Sequence, residues 1–291
     1  MVRAVTRLIG AELFKLRKRL MTRVLLFVLL GILIILYLLL LAVSKVAIPA
    51  HDPSEIGEIQ NILGLPVAIP FALTILSSLG SVLAVILMAS SIGNEYSWHT
   101  IRTVLMCSES RSKLLGAKLI STGILVLIGL VAGVATGFIM SLITTAIGGY
   151  SFDFSFATGG YLWDQFLQFW RTFFVLIPYV LLGFLFAIVG RSAMPGIALG
   201  IGILFLESLV TTFMSLAGGW IAKVPDYLLA ANVRAITSMA GLPEGFSVGM
   251  DTNSTSIQMP GVIHAFTTLA IYCLVFIGIA FYLFRKRDVT G

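Results

Sequence analysis

One carboxylate interrupts an otherwise apolar run: Glu207, in Leu204-Phe205-Leu206-Glu207-Ser208-Leu209. An ionisable side chain inside a membrane span is costly to place, which makes Glu207 a functional candidate by default. The competing reading is structural, with the carboxyl protonated or hydrogen-bonded to Ser208 or to a neighbouring helix. No second acid accompanies it, so it lends thin support to a proton-coupled carrier. Other chemistry is harder still to assemble. Gly116-Ala117-Lys118 lacks the glycine loop and strand context of a P-loop, so the chain does not hydrolyse a nucleotide by that route. It carries no His-Glu-x-x-His helix. Cys107 and Cys273 fall on segments too far apart to pair. His51, His99 and His264 are scattered, so neither a catalytic residue nor a metal site is expected.

A second polar concentration follows an apolar run ending at Ile92. It reads Gly93-Asn94-Glu95-Tyr96-Ser97-Trp98-His99-Thr100-Ile101-Arg102 and stays polar to Lys113. Tyr96 and Trp98 suit the headgroup level of a bilayer. Residues 100–106 can form a short surface helix, broken near Cys107-Ser108 and restarted at Ser110-Arg111.

The elements around these residues follow from hydropathy. The 291-residue chain is 58% hydrophobic and 11% charged, with a mean hydropathy of +1.04. A water-soluble domain of this size cannot hide so much apolar surface. A bilayer crossing needs about 20 mostly apolar residues, and such runs lie at Val24–Val43, Val67–Ile92, Leu114–Ile147, Phe166–Gly190, Met194–Ala217 and Val262–Phe284. The expected fold is therefore an all-α polytopic membrane protein with six spans in residues 24–291. Continuous runs such as residues 24–30 exclude the alternating pattern of a β-barrel. The first run is read as an uncleaved span, since Ala42-Val43-Ser44 is a weak cleavage site.

Fifteen of the 19 Lys and Arg residues fall on one side of this layout, leaving Lys45, Arg171, Lys223 and Arg234 for the other. The positive-inside rule then puts both termini in the cytoplasm of a multi-pass cell-membrane protein. The net charge of +6 reports orientation and attraction to anionic headgroups of the lipid bilayer, with no nucleic-acid partner implied. The opposite loops are mildly acidic, which either attracts a cationic substrate or simply complements the positive bias.

In residues 1–23, Val2, Val5, Ile9, Leu13, Leu16 and Leu20 recur at helical spacing with Arg3, Arg7, Lys15, Arg17 and Lys18 mostly between them. This predicts an amphipathic helix lying in the cytoplasmic interface. It serves as an anchor or, in addition, as one wall of a docking surface. The third run exceeds what the bilayer requires, so it protrudes or tilts. Gly129, Gly133 and Gly137, like Gly196 and Gly200, lie four apart, the spacing of close helix packing in lipid. Pro178 is expected to kink the fourth span. The Arg191-Ser192 link forces spans four and five into a hairpin. Residues 218–261 make a long outer connection with a helix opening at Pro225-Asp226, an external element between spans five and six.

With these residues in place, the chain resembles the membrane subunits of bacterial ABC-2 type exporters. In that family the connection between spans two and three reads Glu-Tyr, a Gly-Thr-x-Arg-x-Leu-Leu element, Ser-Arg and a Gly-Lys. The corresponding residues here are Glu95-Tyr96, Thr100 to Leu105 with Arg102, Ser110-Arg111 and Gly116-Ala117-Lys118, with His99 where glycine is usual. The resemblance implies a permease without an enzyme activity of its own. It implies a homodimer or a heterodimer with a second permease, and a separate ABC ATPase subunit that binds ATP and Mg and docks on Glu95, Tyr96, Thr100, Arg102, Ser110 and Arg111. Export of a hydrophobic or amphipathic substrate is the expectation. The same arginines also serve as plain positive-inside determinants. The competing classes are an ATP-independent secondary transporter or channel, which favours broken polar spans, and a non-transporting membrane scaffold or intramembrane hydrolase.

Overall fold

A computed structural model describes residues 2–46, 64–97, 111–148, 156–217, 221–240 and 261–286. Every regular element among them is helical. Helix α1 covers Val2–Lys18, and α2, Leu20–Val46, follows after the single irregular residue Arg19. The Arg19 N–H still reaches back to the Lys15 and Leu16 carbonyls, both at 3.2 Å. Next come α3 (Leu65–Ser97), α4 (Arg111–Gly148), α5 (Gly159–Gly190) and α6 (Ala193–Ala217). A 3-10 helix at Ile221–Tyr227 leads into α7 (Leu229–Thr237) and a 3-10 turn at Ser238–Ala240. The last helix, α8, is Val262–Lys286.

Six of these, α2 to α6 and α8, are long and apolar enough to cross a membrane. Each overruns its apolar run at one end or both, because helix propagation adds a backbone hydrogen bond per residue whatever the side chain. The chain is thus a multi-pass helical membrane protein.

Helices α3 and α5 form the centre. More than half of their most apolar stretch is buried by protein, against less than a quarter in the other four spans. Small residues allow this. Gly183 of α5 leaves no room for a Cβ against the Val85 backbone, and Gly93 of α3 sits against the backbone of Ser192 and Ala193. Gly196 packs on Ala89 and Ala187, Gly200 on Val85. On α4, Gly133 meets Leu76 and Gly137 meets Ala72. Gly129, expected to pack with them, faces open space. Around the centre, Leu29, Leu33 and Tyr37 present one face of α2 to Phe71, Ile75 and Leu76, as their i, i+4 spacing requires. Tyr37 meets Phe71 edge-on at 5.2 Å and donates to the Ala68 carbonyl at 3.1 Å.

Two prolines lie beyond the first turn of the central helices. Helix α5 continues through Pro178, where a kink is expected, without a break. Pro70 in α3 has no N–H, which leaves the Pro66 carbonyl without its helical donor. Tyr161 supplies one from the first turn of α5, its hydroxyl donating to that carbonyl at 2.7 Å. Thr158 caps the same turn, accepting from the Tyr161 N–H at 3.3 Å. At the other end Arg191 takes up left-handed backbone, φ 51° and ψ 26°, and turns the chain into α6 within two residues. The hairpin expected of Arg191-Ser192 is formed.

Candidate functional site

Where α1, α3 and α4 converge, four charged side chains are packed into one cluster. Glu12 comes from α1, Glu95 from the last turn of α3 and Lys118 from the third turn of α4. Lys118 Nζ donates to Glu12 Oε2 at 2.9 Å and to Glu95 Oε1 at 2.7 Å. Lys15, one turn beyond Glu12, donates to Glu95 Oε1 and lies 3.3 Å from Glu12 Oε1. The Arg19 guanidinium is 3.8 Å from Glu95 and donates to the Ser91 carbonyl at 3.3 Å. Glu95 and Lys118 are 1% and 2% exposed, so their charges are balanced by one another rather than by water.

Buried ions of this kind cost desolvation, which their mutual attraction offsets only when the geometry is good. Their effect is specificity of register. Sliding α1 by one residue, or rotating α3 against α4, removes a partner from a charge that has no water to replace it. The cluster therefore couples three helix ends mechanically. It offers no nucleophile, and among the described residues no three His, Cys, Asp or Glu side chains are grouped to hold a metal.

Of the connection residues read from the sequence, Glu95 is in this cluster. It faces inward toward Lys118 and Lys15, not outward toward a partner surface. Tyr96 is half-buried against the core that includes Met88, Ile92 and Leu115. Arg111 opens α4. Thr100, Arg102 and Ser110 lie outside the described residues, as do Cys107 and the short helix expected at 100–106. Lys118, counted as a cation of the connection, is a buried ion-pair partner instead. Glu12 and Arg19 were not singled out. One signal pointed to Glu12: it is the only acid of residues 1–23, among seven cations, at the edge of the apolar stripe.

Glu207 lies far from this cluster, on α6. Its Oε1 accepts from the Ala230 N–H at 2.8 Å, at the start of α7. Leu228, the N-cap residue, gives α7 no side-chain cap, so a carboxylate from another helix takes that place. Two more side chains hold the same corner. Asn232 Nδ2 donates to the Asp226 and Leu228 carbonyls at 2.9 and 2.7 Å, and Tyr272 of α8 donates to the Tyr227 carbonyl at 3.0 Å. The helix expected to open at Pro225-Asp226 begins instead at Leu229, because Pro225 and Asp226 are taken up in the preceding 3-10 helix. Of the two readings of Glu207, the geometry supplies the structural one with a definite partner, α7 rather than Ser208.

No curated protein is significantly similar to the chain in sequence. Residues 56–290, from ahead of α3 to past the end of the last helix, match the family described as Protein of unknown function (DUF2705), and the chain belongs to that family.

Proposed function

We propose that the chain is the permease subunit of an ATP-driven exporter, moving a hydrophobic or amphipathic substrate with ATP hydrolysed by a separate nucleotide-binding subunit. The observation that carries this reading is the buried ion cluster of Glu12, Lys15, Glu95 and Lys118. A push on the connection between α3 and α4 is useful only if the helix ends on either side move together. The cluster joins those two ends, and α1 with them, through short charge-assisted bonds.

In this reading both termini are cytoplasmic and α1 lies along the inner surface of the cell membrane. The ATPase docks on the connection through Thr100, Arg102, Ser110 and Arg111, while the elements from Ile221 to Ala240 sit on the outer face. A second permease subunit, identical or different, completes the transporter. Glu95 transmits force rather than touching the ATPase.

The test is purification of the full chain from its native membranes after mild cross-linking. A cassette ATPase is expected to copurify. Arg102→Glu should abolish stimulation of that ATPase by transport while leaving membrane insertion intact; normal stimulation in the variant dismisses the assignment. Uptake by vesicles holding this polypeptide alone would favour the ATP-independent carrier instead.

A further inference from the structure

Between α2, α3 and α4 runs a cavity of about 440 Å³ that the transport reading leaves unused. Its size is within the roughly 300–1,000 Å³ typical of small-molecule sites. Hydrocarbon lines it: Leu25 and Leu29 from α2, Leu76 and Leu83 from α3, Leu130 from α4 and Leu176 from α5. The cavity exists because side chains are missing there. A Cβ on Gly129 meets nothing within 4 Å, in contrast to Gly133 and Gly137 on the same row, which are filled by Leu76 and Ala72.

The polar groups lining this cavity are gathered at one end, where α1 passes into α2: Arg17, Thr22 and Arg23. Arg23 Nε donates to the Arg17 carbonyl at 3.3 Å, which holds its guanidinium beside the mouth. Both arginines are exposed, and neither is in an ion pair among the described residues. Arg19, between them in sequence, is committed to Glu95.

Length decides what fits. On α3 the lining runs from Leu76 to Leu87, about 16 Å at 1.5 Å per residue. That is close to half of a hydrocarbon layer of about 30 Å. The cavity therefore starts at the basic end of the bundle and stops near mid-membrane, the depth of one leaflet. We infer that it is a binding site for an acyl chain of an anionic phospholipid from the leaflet beside α1, with the lipid phosphate held by Arg17 and Arg23. Two guanidiniums on a phosphate are a charge-assisted, geometrically matched pairing. A free phosphate would leave the hydrocarbon walls wet. A second copy of the chain, inserted the same way up, would bring its own basic end to the same mouth. Lipid binding here needs no ATPase, so it stands or fails separately from the transport proposal.

The experiment reconstitutes the full chain in phosphatidylcholine vesicles with a trace of phosphatidylglycerol bearing a photoactivatable diazirine on one acyl chain, then maps the labelled peptides. Label is expected on the α3 segment 76–87 and the α4 segment 125–130, displaced by unlabelled phosphatidylglycerol and not by added phosphatidylcholine or inorganic phosphate. Arg17→Gln with Arg23→Gln should reduce it by about thirtyfold, taking about 1 kcal/mol per arginine, and Arg17→Lys with Arg23→Lys should retain most of it. Gly129→Leu, which fills the groove, should abolish it at an unchanged elution volume; if that variant does not fold, the exposed arginine substitutions still decide. Equal displacement by phosphatidylcholine, displacement by inorganic phosphate, label spread over α6 and α8, or cross-links joining two copies through the groove would each overturn the assignment.

Discussion

Lys118 and Glu95 meet at 2.7 Å with both side chains sealed from solvent, one near the start of α4 and the other at the end of α3. Each is the other's substitute for water. Lys118→Met leaves two carboxylates to Lys15 and Arg19, and the loss of one partner from a buried pair costs about 3–5 kcal/mol. Adding Glu95→Gln to that variant should recover part of the loss, so the double substitution is less harmful than the sum of the singles. Thermal unfolding of the four proteins in detergent measures this; additive losses would show that the pair is not coupled.

Tyr161 and Pro70 allow a separate cycle. Tyr161→Phe removes the donor to the Pro66 carbonyl and should cost about 1 kcal/mol, the net worth of one hydrogen bond. In a Pro70→Ala background the restored N–H can serve that carbonyl. Tyr161→Phe should then cost clearly less. Equal costs in the two backgrounds, read from unfolding midpoints, would mean that the hydroxyl does not compensate for the proline.

For Glu207 the acceptor matters more than the charge. Glu207→Ala uncaps α7 and should weaken it by about 1–2 kcal/mol, or roughly five- to thirtyfold in the exchange of its amide hydrogens. Glu207→Gln keeps an acceptor oxygen and should stay near the parent protein. Mass-spectrometric hydrogen exchange over residues 229–237 reads both. Exchange in Glu207→Gln as fast as in Glu207→Ala would return the residue to the list of functional acids.

Arg191 holds a backbone conformation that favours glycine. Arg191→Gly should raise the stability of the α5–α6 hairpin by up to about 1 kcal/mol, and Arg191→Val should lower it by a similar amount. A midpoint for Arg191→Gly below that of the parent would indicate that the guanidinium contributes more than its backbone costs.

The six spans were legible because hydrophobic runs of membrane length leave few alternatives, and α1 because its apolar residues recur with helical period. What hydropathy does not encode is which spans are interior. Leu39 on the bundle surface and Leu76 inside it are the same residue type, and only the glycine rows of α4 and α6 hinted at close neighbours. The hairpin at Arg191 was readable from the shortness of the link. The start of α7 was misplaced because Pro225 and Asp226, read as an opening, lie near the end of a 3-10 helix that already runs from Ile221 to Tyr227. Glu95 was found, but as a surface group. Its inward direction depends on Glu12 and Lys118, which lie 83 and 23 positions away and whose meeting is a product of the fold rather than of any local pattern.

The ion cluster also sets a timetable for biogenesis. Glu12 leaves the ribosome 106 residues before Lys118, a delay on the order of ten seconds at about 5–20 residues per second. Through that interval α1 has its own lysine but not the partner that seals the carboxylate from water. The amino-terminal segment can reach its final seat only after the third crossing has begun to emerge, so arrival of Lys118 is the event that closes this end of the bundle.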